Sequence, residues 1–377
     1  MQSFLQLVAH DLYAKIGNNL SRTALIFPNK RANLFFNEYL AGESDQPIWS
    51  PAAMSISDLF QKLSVQKSGD PIRLVCELYK VFKEETQSQE TLDDFYFWGE
   101  LLISDFDDVD KNMVDADKLF SNLQDLKNLM DDYEFLDKEQ EEAIQQFFQN
   151  FSIERRTELK EKFISLWDKL GTIYHHYREN LTELGIAYEG MLYRNVIEQL
   201  DTDQLKYDKY IFVGFNVLNK VENEFFRKLK DAGKALFYWD YDIFYTQQIR
   251  KHEAGEFLKR NLGEFPNELP ESFFDTFKEP KKIRYISAST ENAQARFLPE
   301  WIKMITDNHS QIAEEKEKEN AVVLCNEALL LPVLHSIPQE VKNVNITMGF
   351  PLAQTPVYSF INAVMELQTN GYRSDTG

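Results

Sequence analysis

Residues 23–32 read Thr-Ala-Leu-Ile-Phe-Pro-Asn-Lys-Arg-Ala, TALIFPNKRA. The first five favour a strand, and Pro28 closes it by removing a backbone donor. RANLFFNEYLA over 31–41 then has helical spacing, which predicts Leu34, Phe35, Tyr39 and Leu40 facing inward. Strand, tight turn and helix is how a parallel α/β sheet positions a nucleotide loop. That loop needs glycines for its backbone N–H groups, a lysine on the outer phosphates and a hydroxyl on magnesium. Gly-x-x-x-x-Gly-Lys-Ser/Thr occurs nowhere in the chain, and Gly233-Lys234 is followed by Ala235.

Working outward, the first 16 residues form a helical pattern with Phe4, Leu5, Val8, Leu12 and Ile16 on one side. MSISDLFQKL (54–63) passes from a short strand into a helix with Ser57 as its N-cap. Residues 71–200 read as helix without a strand. KYIFVGFN (209–216) is again a strand, KVENEFFRKLKDAG (220–233) a helix closed by Gly233, and KALFYWD (234–240) a strand. Strand, helix, strand at this spacing is a βαβ unit, which implies a parallel sheet. Past the proline-rich stretch 266–280 a second series begins. KIRYISAS (282–289), NAVVLCN (320–326) and NVNITMG (343–349) read as strands, separated by helices, and TPVYSFINAVMELQ (355–368) as a last helix with Pro356 in its first turn.

The reading is therefore α/β. Residues 1–70 and 205–265 form one degenerate P-loop-NTPase-like parallel-sheet domain, 71–204 form a large all-helical insertion within it, and 281–377 begin a second α/β domain, cut out of something longer. Where an NTPase strand should end in a magnesium-holding acid, Val213-Gly214-Phe215-Asn216 stands instead. With both halves of the nucleotide site missing, neither ATP hydrolysis nor a cofactor is expected.

The net charge of −20 counts against simple nucleic-acid binding. Residues 93–142 hold seventeen Asp or Glu against four Lys, read as a solvated acidic face or a docking face for a basic partner. DFDDVDKNMVDAD (105–117) lacks the sixth-position Gly and twelfth-position Glu of a calcium loop, and the adjacent His175 and His176 diverge on a helix, so no metal site is expected. Cys76 and Cys325 lie far apart and read as two buried thiols. No apolar run reaches a membrane span and the first residues are no signal peptide, so a cytoplasmic protein with no membrane partner is expected.

ALIFPNKRANLFFNEYL resembles the strand–helix element of AddB-type proteins, helicase-like nuclease subunits related to RecB and UvrD. MSISDLF is similar to the Ser/Thr-rich segment that follows the first strands of superfamily I helicases, and YIFVGFNVLNKVENEFFRKL to an AddB stretch whose helicase acid has become Gly-Phe. SASTENAQARFLPEWI resembles the opening of the second motor domain, and 321–367 the segment leading to its insertion. The likeness lies in the order of these elements, and points to inactivated superfamily I helicases that carry a C-terminal PD-(D/E)XK nuclease domain.

That resemblance implies a catalytically inactive helicase-like scaffold in a nuclease of double-strand-break repair and recombination. It would hold DNA, as duplex ends or single strands, or a helicase-nuclease partner subunit. The parent would be an exodeoxyribonuclease whose catalytic residues lie outside this sequence. The alternative is an acidic protein-interaction scaffold that does not touch DNA. The candidate nucleic-acid contacts are Asn29, Lys30 and Arg31, in the turn after the first strand, with Ser55 and Ser57 in the neighbouring turn. Phe215 reads as core rather than as a stacking platform.

Overall fold

The computed structural model describes residues 2–120, 158–246, 253–305 and 320–371. The chain divides into two compact units, residues 1–279 and 280–377.

The first unit is built on a parallel four-stranded sheet of β1 (Thr23–Phe27), β2 (Ala52–Ser55), β5 (Lys209–Val213) and β6 (Ala235–Tyr238), in the order β2-β1-β5-β6. Leu25 stands opposite Ala53 on one side and Ile211 on the other, so TALIF and KYIFV are direct neighbours although some 180 residues separate them. All of β1 is buried, as expected of a central parallel strand covered on both faces.

Side chains two apart divide between the two faces. Ala24, Ile26, Tyr210, Phe212 and Phe237 join one core with α3 (Ile56–Leu63), α8 (Lys220–Asp231) and the helical region. Leu25, Phe27, Ile211, Val213 and Tyr238 join the other with α1 (Phe4–Ile16) and α2 (Ala32–Ala41). The connection β1–α2–β2 runs to one side of β1, and β5–α8–β6 runs to the other. Right-handed crossovers in opposite directions place α2 and α8 on opposite faces, giving a doubly wound sheet. Its connections diverge between β1 and β5.

The face of α2 differs from expectation in part: Leu40 is buried and Tyr39 packs partly buried, as expected, but Leu34 and Phe35 do not face inward. Phe36 and Leu40, four residues apart, are the buried pair, and Phe36 packs its ring 6.2 Å from that of Phe27. That choice turns Leu34 and Phe35 outward. Ser55, not Ser57, is the N-cap of α3: its hydroxyl accepts from Asp58 N while Asp58 accepts from Ser55 N, a reciprocal capping box.

Between β2 and β5 lie α4 (Pro71–Thr86), α5 (Leu92–Lys111), α6 (Glu158–Glu183) and α7 (Glu189–Gln199). The expectation of no strand here is corrected by one short pair, β3 (Lys67–Ser68) with β4 (Ile186–Ala187). Asp110 is fully buried in this region and accepts from Tyr174 (2.6 Å) and Tyr188 (2.5 Å) while pairing with Arg178 (2.5 Å) and Arg194 (3.3 Å). Residues 121–142 of the acidic stretch lie outside the described residues.

The second unit contains α9 (Glu291–Arg296), α10 (Leu298–Ile305), α11 (Leu330–His335) and α12 (Pro356–Asn370). Ala295, Leu298 and Val333 form its small core. The three segments expected as strands, 282–289, 320–326 and 343–349, carry no ladder among the described residues. A parallel strand needs an in-register neighbour, and Ile283, Val323 and Val344 remain exposed without one. Neither cysteine is disulfide-bonded, and neither is buried: Cys76 is half-buried and Cys325 exposed. Among the described residues no helix is long and apolar enough to cross a membrane.

Candidate functional site

Ligands of open α/β sheets sit beyond the carboxyl ends of the strands, where the connections diverge. Here that place is bounded by residues 28–31 after β1 and 214–219 after β5. Gly214 has φ +73°, a left-handed turn that favours glycine, and Phe4 of α1 lies against it.

The turn after β1 is held by Asn29, whose Oδ1 accepts from the backbone N–H of Arg31 (3.1 Å) and of Ala32 (3.4 Å). Asn29 therefore shapes the loop and satisfies helix-start donors of α2. Lys30 reaches across to Asp58, with Nζ 3.0 Å from Oδ1, and stays largely exposed. Arg31 is exposed and its guanidinium has no ion pair among the described residues. One turn on, Leu34 and Phe35 add an exposed apolar surface beside these two cations.

Both serines proposed as phosphate contacts are turned to carboxylates. Ser55 donates to Asp58 Oδ2 at 2.7 Å, and its own N–H donates to the same oxygen at 3.2 Å. The Ser55 hydroxyl foremost, with Lys30, holds Asp58 below the usual carboxylate range against the opposing effect of burial. Ser57 donates to Glu189 Oε1 at 3.3 Å. Glu189 also accepts from Tyr193 (2.9 Å) and from Lys111 (2.6 Å), and Lys111 pairs with Asp107 at 2.7 Å. Burial pushes Glu189 upward, but Lys111, Tyr193 and Ser57 outweigh it and leave it below the usual range. Close by, Glu222 is raised by burial.

The five expected contacts thus separate into two groups. An anion approaching Ser55 or Ser57 meets Asp58 or Glu189, which repel it. An anion approaching the turn at 29–31 meets two exposed cations and the first turn of α2, whose dipole adds favourably. Asp58, Glu189 and Lys111 are residues of the candidate site that sequence reasoning missed. Asp58 was detectable, because Ser-x-x-Asp at 55–58 is a capping-box signature. Lys111 and Glu189 come from helices far along the chain, and nothing local marks them.

Phe215 is buried in the core. Asn216 offers its carbonyl to Asn261 Nδ2 at 2.6 Å, so the residues in the place of a magnesium acid serve packing. The aspartates of 105–111 belong to α5 rather than a loop, and among the described residues no group of His, Cys, Asp or Glu is arranged to hold a metal ion. Comparison with models of known protein families gives no match, and comparison with curated protein sequences gives none either.

Proposed function

We propose that the first unit is a motorless, helicase-like scaffold that holds DNA by its backbone at the turn after β1, in a nuclease system of double-strand-break repair. Motor and nuclease chemistry would be supplied elsewhere, by a partner subunit or further sequence. The observation that supports this most is the exposed Lys30-Arg31 step at the carboxyl edge of a doubly wound sheet. The ordered resemblance to AddB-type proteins adds the ligand class.

The net charge of −20 and the carboxylates Asp58 and Glu189 beside the turn favour a second reading, an acidic scaffold that binds protein and not DNA. Fluorescence anisotropy of labelled duplex and single-stranded oligonucleotides, titrated at several salt concentrations, decides between them. Phosphate contacts release counterions, so DNA affinity must fall steeply as salt rises. No binding at low salt would leave the protein scaffold standing. Calorimetric titration with Mg-ATP is expected to be flat under either reading.

A further inference from the structure

Two eight-residue stretches of this acidic chain each hold four cations against one acid, 227–234 and 278–285. Their structural fates differ. In the first, Arg227 pairs with Glu224 and Glu264, while Lys228, Lys230 and Lys234 donate to the carbonyls of Ile197, Glu264 and Thr202. Those lysines cap carbonyls at or beside helix ends, including the last turn of α7, and are accounted for by the fold. In the second stretch, Lys282 and Arg284 have no hydrogen bond or ion pair among the described residues. Residues 281–287 are all exposed and lie in neither helix nor ladder.

A second feature coincides with these charges. Tyr285 is 93% exposed, the most exposed of the large hydrophobic side chains among the described residues, and Ile283 beside it is also exposed. An aromatic ring left in water between cations gains most from a ligand that brings both negative charge and a flat π-face. A duplex supplies the charge but keeps its bases stacked on one another. A single strand supplies both, and base–aromatic stacking tolerates any sequence.

We infer that Lys281–Tyr285 in the second unit is a binding segment for single-stranded nucleic acid, with Lys282 and Arg284 on phosphates and Tyr285 stacking on a base. The inference rests on the DNA-holding reading for its ligand class, but on different residues from the turn after β1. The test compares the full chain with Lys282→Glu/Arg284→Glu and Tyr285→Ala, measuring anisotropy of a labelled oligothymidylate at low salt. The charge reversal is expected to weaken binding by about tenfold or more, and Tyr285→Ala by about fivefold or more. Duplex of the same length should bind the wild type more weakly, and the Tyr285 change should leave that affinity unmoved. Tryptic cleavage after Lys282 and Arg284 of the unmodified chain should slow when the oligonucleotide is bound.

Wild-type binding with unchanged affinity in both variants and no tryptic protection overturns this inference alone. So does capture of anionic phospholipid vesicles through Ile283 and Tyr285 in preference to the oligonucleotide. Absence of any nucleic-acid binding by the wild type overturns this inference and the DNA-holding reading together.

Discussion

Lys30 Nζ lies 3.0 Å from Asp58 Oδ1, an ion pair that joins the turn after β1 to the first turn of α3. The same carboxylate accepts from the hydroxyl and backbone N–H of Ser55. Asp58 is therefore both a helix cap and the counter-charge that any phosphate must displace from Lys30.

Asp58→Asn separates these roles by pH. The carboxyl is held low in the folded chain, so its stabilisation is present above the unfolded value near 4 and lost as pH falls through the folded value. The variant should lose about 1 kcal/mol at neutral pH through the weakened capping box, and should show a shallower decline in stability on acidification below pH ~4. Urea unfolding at stepped pH reads both effects. Equal acid sensitivity in variant and wild type would dissociate Asp58 from the acid limb.

Asp110 makes the opposite kind of contribution, deep within the helical region. It neutralises Arg178 and Arg194 and accepts from two tyrosine hydroxyls with no exposure of its own. Asp110→Ala leaves two half-buried guanidinium groups without their shared acid, at an expected cost of about 3–5 kcal/mol. Chemical denaturation measures it; a loss below about 1 kcal/mol, typical of exposed pairs, would contradict the network's burial.

The runs 24–27 and 210–213 announced buried parallel strands, because no charged residue interrupts the last four positions of β1 or of β5. That both belong to one sheet followed from the helical reading of 71–200 between them. The inward face of α2 is ambiguous in the sequence because three apolar residues in a row, Leu34, Phe35 and Phe36, together with the nearby Leu40, satisfy more than one helical stripe. Tertiary packing against Phe27 decided in favour of Phe36. The carboxylate facing Ser57 was illegible for another reason. Glu189 is some 130 residues away, and the packing of α7 against α3, together with its crossing of α5, brings it there. In that crossing Gly190 donates to Asp107 at 2.5 Å and leaves no room for a Cβ.

Asp105 should act as a latent stabilising position. Burial, with Asp108 adding repulsion, pushes its carboxyl up to about 6. A carboxyl raised in the folded state favours folding in its protonated form, so stability gains as pH falls from above 6 toward the unfolded value near 4. Asp105→Asn removes the charge and should raise stability at pH 7 by at most about 3 kcal/mol, with the gain vanishing near pH 4. Thermal unfolding of both proteins across that range checks the sign. A destabilised variant at pH 7 would show that an acceptor role outweighs the charge.

The turn at 29–31 offers the most direct test of the DNA-holding reading, because its two cations are unequal. Lys30 must leave Asp58 before it can serve a phosphate, whereas Arg31 has no ion pair among the described residues to give up. Arg31→Ala should therefore weaken oligonucleotide binding more than Lys30→Ala. The double variant should flatten the salt dependence by up to about two counterions' worth, near one per lost contact, and equally for every sequence. Stability should change by no more than about 0.5 kcal/mol, since both side chains are exposed. Asp58→Asn should strengthen binding when Lys30 is present, and should have a smaller effect once Lys30 is alanine. The remaining effect is the general loss of one negative charge near the loop. Measured as a double-mutant cycle by anisotropy at low salt, a coupling of zero between Lys30 and Asp58 would mean that the pair seen across the turn does not govern access to it. An unchanged salt slope in the Lys30/Arg31 double variant would remove the turn from the binding surface altogether.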